Sequence, residues 1–205
     1  MDIRRLILGT RNQGKVAEFK LLLATLDVPL AGLAEFPQVP EVVEDGSTFE
    51  ANAAKKAVTW ARALGDVVLA DDSGLEVKVL AGRPGVHSAR YAGPQQDAQA
   101  NVVAILEQIR NVPAERRGAR FVCVLALATP DGLAFTVRGA CEGFLTDAPR
   151  GTGGFGYDPI FLVPEYAQTF GELSADVKNR ISHRARAIQL FRDKFVQWRT
   201  AAGVA

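Results

Sequence analysis

The stretch Val67-Val68-Leu69-Ala70-Asp71-Asp72-Ser73-Gly74 sets four apolar residues directly against two carboxylates, a hydroxyl and a glycine. Residues 67–70, preceded by Gly65-Asp66, have the short, Val/Leu-rich character of a strand covered on both faces of a sheet. That character points to an α/β fold. The sequence predicts that the strand ends at Ala70, where open α/β sheets place their ligands. Two adjacent carboxylates repel each other unless a cation lies between them, and Mg²⁺ is the usual candidate. A polar turn leaving the strand is the competing reading.

Upstream, Leu6-Ile7-Leu8-Gly9 reads as a first strand and Thr10-Arg11-Asn12-Gln13-Gly14 as a polar loop. A helix follows from about Lys15, with Val16, Phe19, Leu22, Leu23 and Leu26 at helical spacing. Strand and loop are expected over residues 29–40. Ser47-Thr48-Phe49-Glu50 has the spacing of a capping box and predicts a helix to about Leu64. Downstream, residues 75–80 read as a short further strand, broken by Ala81-Gly82-Arg83-Pro84-Gly85, which opens a loop through Gly93-Pro94. Asp97 is placed to cap a helix bearing Val102, Val103, Ile105, Leu106 and Ile109. Residues 120–129 and 133–145 form the clearest hairpin, around Pro130-Asp131-Gly132. A glycine-rich loop then leads to a strand over residues 160–163. The last helix is expected to start near Ser182 and to carry Ile188, Phe191, Phe195 and Trp198. One α/β domain over residues 1–205, two-lobed around the hairpin, is the predicted organisation.

Composition narrows the function classes. Of 205 residues, 48% are hydrophobic and 23% charged, which suits a globular chain with a sizeable core. The formal net charge of +1 gives no bulk argument for nucleic-acid binding, so any phosphate site must be a local cluster. Cys123 and Cys141 lie in apolar runs without CxxC spacing and read as buried thiols of a reducing compartment. The N-terminal Met1-Asp2-Ile3-Arg4-Arg5 meets an apolar stretch too short for a signal-peptide core, and no segment has membrane-spanning length. A cytoplasmic location without membrane or nucleic-acid partners is expected.

Four clusters could carry chemistry. Gly9 to Lys15 satisfies the Gly-x-x-x-x-Gly-Lys part of a P-loop between a strand and a helix, yet Val16 stands where that motif places Ser or Thr on Mg²⁺. Backbone N–H groups at a helix start, with Lys15, still make an anion site, beside the simpler reading of a strand-to-helix turn. Glu41, Glu44 and Asp45 precede a helix, where negative charge is favoured, and one of them could join Asp71 or Asp72 around a metal. Gly151-Thr152-Gly153-Gly154-Phe155-Gly156-Tyr157-Asp158-Pro159 combines close backbone approach with aromatic faces for a base. A structural turn with core aromatics competes with that reading. In Lys178-Asn179-Arg180-Ile181-Ser182-His183-Arg184, Ser182 reads as an N-cap with His183 and Arg184 on the first turn. A basic, solvated helix start is the alternative.

These clusters occur in one order over nearly the whole chain, together with Pro84-Gly85-Val86-His87-Ser88-Ala89-Arg90-Tyr91. The ordered set strongly resembles the inosine triphosphate pyrophosphatase family, which acts on non-canonical purine nucleoside triphosphates. The resemblance implies a homodimeric α/β protein whose elongated mixed β-sheet, flanked by helices, forms two lobes around a central nucleotide cleft. It implies Mg²⁺-dependent hydrolysis of ITP, dITP and XTP to the monophosphate and pyrophosphate. Thr10, Arg11, Asn12, Gln13, Gly14 and Lys15 would hold phosphate. Asp72 would be proton acceptor and metal ligand, with Glu44 the second metal carboxylate and Glu41 and Asp45 close by. Ser73, Lys56, Phe155, Gly156, Tyr157, Asp158, Lys178, His183 and Arg184 would complete the substrate-binding set. Two positions depart from the family: Ala51 replaces a carboxylate, and Ala185 replaces a glycine after Ser-His-Arg.

The residue types suit attack of water on the α-phosphorus, with Asp72 taking the proton and Lys15 and Lys178 stabilising the pyrophosphate. Donors near Arg184 would favour a 6-oxo purine over adenine. A P-loop NTPase, releasing orthophosphate, and a nucleotide-binding module without catalysis are the rivals from other classes.

Overall fold

Leu6, Ile7 and Leu8 are buried on both faces of strand β1 (Leu6–Gly9), and such a strand needs a neighbour along each edge. One neighbour is β2 (Leu30–Gly32), the other β3 (Val67–Val77), and both run parallel to β1. Leu6 lies opposite Leu30 on one side and Val67 on the other. The structure is a computed structural model describing residues 3–201 and Gly203; Met1 and Asp2, where the reading of the N-terminus begins, lie outside the described residues. The hairpin strands β4 (Gly118–Thr129) and β5 (Gly132–Leu145) come next, then β6 (Phe161–Val163) and β7 (Gln168–Thr169), both paired antiparallel. The sheet order is β2-β1-β3-β4-β5-β6-β7, the open mixed sheet that the resemblance implies. Among the described residues five α-helices accompany it: α1 (Gln13–Leu22), α2 (Phe49–Leu64), α3 (Ala98–Ile109), α4 (Ala175–Ile181) and α5 (His183–Ala201). None of the described helices is long and apolar enough to cross a membrane.

The deciding stretch corrects the sequence reading. β3 does not end at Ala70; it runs on through Asp71, Asp72, Ser73 and Gly74 to Val77. Both carboxylates are therefore mid-strand, and both are buried. Side chains alternate between the faces of a strand. Leu69 and Asp71 share the face of the core built from Phe19 of α1 and Ile188, Phe191 and Phe195 of α5. Ala70 and Asp72 take the opposite face, where Trp60 and Asn52 of α2 lie. The expected strand over residues 75–80 is the end of β3 followed by a 3-10 turn, Lys78–Leu80.

Helix boundaries differ where capping chemistry was misassigned. Thr48, not Ser47, caps α2, its hydroxyl accepting from the Ala51 N–H. Glu50 consequently misses the capping-box position and pairs with Arg138 at 2.8 Å. The basic run concealed the short helix α4, which ends at Ser182, but Ser182 also stands in extended backbone immediately before α5, which begins at His183 with Arg184 on its first turn as expected.

The chain divides into two compact units. The first comprises residues through Asp72, Cys123–Gly139 and those from Arg184 onward; the second comprises Ser73–Val122 and Ala140–His183. Each has its own core. Leu6, Leu8, Val67, Leu69, Leu125 and Phe191 anchor the first, and Leu75, Ile105, Phe121, Ile160, Phe161 and Phe170 the second.

In the second unit the glycine-rich loop is folded against its own chain. A Cβ on Gly151 (φ +78°) would lie 2.2 Å from the Gly171 carbonyl, and one on Gly154 would lie 2.0 Å from Asp158 Oδ2. These two glycines serve backbone packing. Gly156 (φ +61°), by contrast, has open space around the Cβ position. Gly151→Ala is expected to cost at least about 2 kcal/mol, combining overpacking with left-handed strain. Gly156→Ala should cost only the backbone term of about 1 kcal/mol. Urea denaturation midpoints compare the two, and equal losses would refute the packing role.

Candidate active site

The two faces of β3 organise the polar residues of the first unit. On the α1/α5 face, Asp71 Oδ2 accepts from Lys15 Nζ at 2.7 Å. Lys15 stands on the first turn of α1, where its backbone N–H donates to the Asn12 side chain at 3.1 Å. Arg184, on the first turn of α5, is 1% exposed and pairs with Glu18 of α1. Burial alone would raise the Asp71 carboxyl, but the charges of Lys15, Lys56 and Arg184 hold it well below the usual carboxylate range. Asp71 is a permanent anion set among cations.

On the α2 face, Asp72 Oδ2 accepts from Asn52 Nδ2 at 3.0 Å. Lys56 donates to Glu44 at 2.8 Å. Burial would lower the Lys56 ammonium, yet the carboxylates of Asp71, Glu44 and Asp72 outweigh it and hold it charged. For Asp72 the balance falls the other way. Burial pushes its carboxyl up to about 6, Lys56 and Asn52 pulling against the rise and Glu44 adding to it. Of the three upstream acids, Asp45 pairs with exposed Lys55 at 2.6 Å and Glu41 is exposed. Glu44 is the one held near Asp72.

Among the described residues, no group of three or more acidic, His or Cys side chains is gathered to hold a metal ion. Asp72 and Glu44 nevertheless offer hard oxygen donors. Mg²⁺ commonly takes one or two carboxylates and fills its octahedron with water and phosphate oxygens, so this sparse set fits it.

The rest of the N-terminal loop is open. Arg11, Asn12, Gln13 and Gly14 are exposed, and Thr10 is half-buried with its hydroxyl accepting from the Asn12 N–H at 3.3 Å. Arg11 reaches back to the Val39 carbonyl at 3.4 Å.

The second unit holds a separate polar cluster. Asp158, buried, accepts from Lys178 Nζ at 2.7 Å and from the Phe155 N–H at 2.8 Å. The Lys178 ammonium sits 5.0 Å from the centre of the Phe155 ring, which is 39% exposed. An exposed aromatic face beside a cation and an acceptor suits a planar, polar-edged ligand. Tyr157 is turned inward, its hydroxyl donating to the Ser88 carbonyl at 2.8 Å. Ser88 Oγ in turn accepts from the Leu75 N–H at 2.8 Å, two residues past Ser73, which is half-buried. His183 is buried, its ring stacked on Phe121 at 4.8 Å.

The first-unit cluster thus gathers Lys15, Lys56, Asp72, Glu44 and Arg184, and the second-unit cluster gathers Phe155, Asp158 and Lys178. The sequence assigned no site role to Asn52, Glu18 or Ser88, although Ser88 lies within the Pro84 to Tyr91 motif. For Asn52 a signal existed in its place one helical turn before Lys56, four residues on.

The Ham1 family model matches residues 6–194. The chain belongs to the Ham1 family. Over 191 residues it is 49% identical to a dITP/XTP pyrophosphatase of Shouchella clausii (strain KSM-K16), covering 93% of this chain and 96% of that protein. A dITP/XTP pyrophosphatase of Desulforamulus reducens is 50% identical over 185 residues, covering 90% and 92%. The solved structure of the Ham1 protein of Coxiella burnetii superposes with a TM-score of 0.87 at 38% identity, covering 95% of this chain and all of that one. The Ham1 protein of Staphylococcus aureus gives 0.85 at 40% identity, over 94% and 98%.

For this Ham1 protein the raised Asp72 carboxyl has a definite pH signature. Its folded-state value of about 6 exceeds the ordinary 3.8, so the folded protein holds that proton more tightly. The resulting stabilisation is complete below about pH 3.8 and is lost as pH rises through about 6. Relative to Asp72→Asn, the metal-free wild type should lose about 3 kcal/mol across that window. Urea titrations in EDTA from acid to neutral pH measure the difference, and a pH-independent gap between the two proteins would contradict it.

Proposed function

We propose that this protein hydrolyses dITP, ITP and XTP to the monophosphate and pyrophosphate, with Mg²⁺, as a cytoplasmic homodimer. The observation that carries the reading is the division of Asp71 from Asp72, in a chain about half identical to dITP/XTP pyrophosphatases. One carboxylate is fixed as an anion. The other is buried and proton-hungry, beside a second acid.

In this reading the exposed loop Thr10, Arg11, Asn12, Gln13, Gly14 and the ammonium of Lys15 receive the phosphates, using the N–H groups of the first turn of α1. Asp71 holds Lys15 in place for that task. Asp72 and Glu44 hold the metal, which when bound offsets charge on the phosphates and polarises the α-phosphorus. Asp72 takes the proton of the attacking water, a role suited to a carboxyl raised toward neutrality. Lys56 orients Glu44, and Ser73 contacts the substrate. Phe155 offers its ring to the base, Gly156 lets the base approach the backbone, and Lys178, Asp158 and Tyr157 fix that loop. His183 and Arg184 complete the nucleotide-binding set, the guanidinium held by Glu18. Donors directed at O6 favour ITP and XTP over ATP, because an adenine amino group would face another donor.

The test is a panel of ITP, dITP, XTP, GTP and ATP with Mg²⁺, scoring pyrophosphate against orthophosphate. Pyrophosphate from the first three, with much slower turnover of ATP and GTP, is expected. Orthophosphate as product, or equal rates on all five, would overturn the assignment. Asp72→Asn should keep its circular dichroism while losing about 10²-fold or more in kcat. Turnover near that of the wild type would remove Asp72 from the proton-acceptor role.

A further inference from the structure

Three residues of α2 that lie one turn apart, Asn52, Lys56 and Trp60, are all buried. Each bonds to one point of the acidic segment that precedes the helix. Trp60 Nε1 donates to the Pro40 carbonyl at 2.9 Å, Lys56 Nζ to Glu44 at 2.8 Å, and Asn52 Oδ1 accepts from the Gly46 N–H at 2.8 Å. As the helix residue number rises by four, the partner number falls: 46, 44, 40. Residues 40–46 are therefore laid antiparallel along one stripe of α2, the stripe that faces β3. At Gly46 the strap is so close that a Cβ would sit 2.7 Å from Asn52 Oδ1 and 2.9 Å from the Ala51 Cβ. Asn52 also bonds to the strand, through its amide nitrogen on Asp72.

We propose that Asn52 is the positioning residue that sets Glu44 against Asp72, its amide oxygen fixing the strap that carries one carboxylate and its amide nitrogen fixing the other. The proposal rests on the reading that Glu44 and Asp72 together hold the divalent cation. An Asn is the side chain this requires. It offers a donor and an acceptor on one rigid plane and no charge to compete with the carboxylates. Residues that orient metal ligands typically change metal affinity or activity 10- to 100-fold when removed.

The experiment measures binding of Mn²⁺ alone to the full-length protein by electron paramagnetic resonance, without nucleotide. Wild type is compared with Asn52→Ala, Gly46→Ala, Asp72→Asn and Lys55→Ala, with urea midpoints recorded for each. Asn52→Ala should weaken Mn²⁺ binding roughly 10- to 100-fold and raise the Mg²⁺ concentration for half-maximal dITP hydrolysis by a similar factor. Gly46→Ala, which displaces the strap without touching Asp72, should act in the same direction, and it decides the matter if Asn52→Ala does not fold. Lys55→Ala, losing only the exposed pair with Asp45, should bind as wild type. A purely structural Asn52 would lower the urea midpoint and leave Mn²⁺ affinity alone, and that result overturns the proposal. If Asp72→Asn itself binds Mn²⁺ like the wild type, the reading of the metal pair fails first and the proposal falls with it.

Discussion

The buried polar cluster of the first unit is organised by one constraint: two carboxylates are buried in the middle of β3. Removing an ion from water costs several kcal/mol even after relaxation, so a strand with such residues is stable only where cations and donors come to meet them. Alternation sends the two charges to opposite faces, and each face must find its own compensation. α1 and α5 supply Lys15 and Arg184 on one side, and α2 supplies Lys56 and Asn52 on the other. The three helices are thus pinned to the sheet by charge at the same place where Leu69 and Ala70 pin them by apolar contact.

The second unit repeats the principle with one carboxylate. Asp158 is buried against Lys178, and its second task is to accept from the Phe155 N–H, so the loop bends around the anion. Gly154 is the residue whose lack of a side chain admits that carboxylate. Tyr157 then ties the loop to Ser88, and Ser88 ties itself to the backbone of β3 at Leu75. A chain of hydrogen bonds thereby leads from the ring-bearing loop to the strand that carries Ser73. The exposed Phe155 ring rides on a support that is almost wholly buried.

Apolar periodicity made most of the fold legible. The strands at residues 6–9 and 67–70, the long hairpin and helices α2 and α3 all have patterns that only one secondary structure buries efficiently. The errors share a cause. Ala70 looked like a strand end because Asp71 and Asp72 have poor prospects inside a sheet, and their compensating partners lie far off in sequence, at Lys15 and Arg184. The cap of α2 was misplaced by one residue because Ser47 and Thr48 are chemically alike and local sequence does not rank them. α4 was hidden because its buried Lys178 reads as a solvated charge until Asp158 is seen beside it. Gly151 and Gly154 read as ligand-contacting because their true neighbours, Gly171 and Asp158, are set by the fold. The candidate site was legible as a list of motifs, and its division of labour became visible only in three dimensions.

That division has a chemical consequence. Asp71 and Asp72 are identical residues one position apart, both buried, yet one is driven below the ordinary carboxylate range and the other above it. The difference is the balance of charge: Asp71 feels Lys15, Lys56 and Arg184, whereas Asp72 feels Lys56 and Lys15 against the like charge of Glu44. A carboxyl left short of positive charge by burial accepts whichever cation is available, a proton or a metal ion. The two compete for the same lone pairs, so metal affinity at such a site weakens as protonation sets in. Asp71 escapes that competition because Lys15 already supplies its charge. The strand therefore carries a permanent anion beside an adjustable one, and the one-residue offset between them is the alternation of a β-strand.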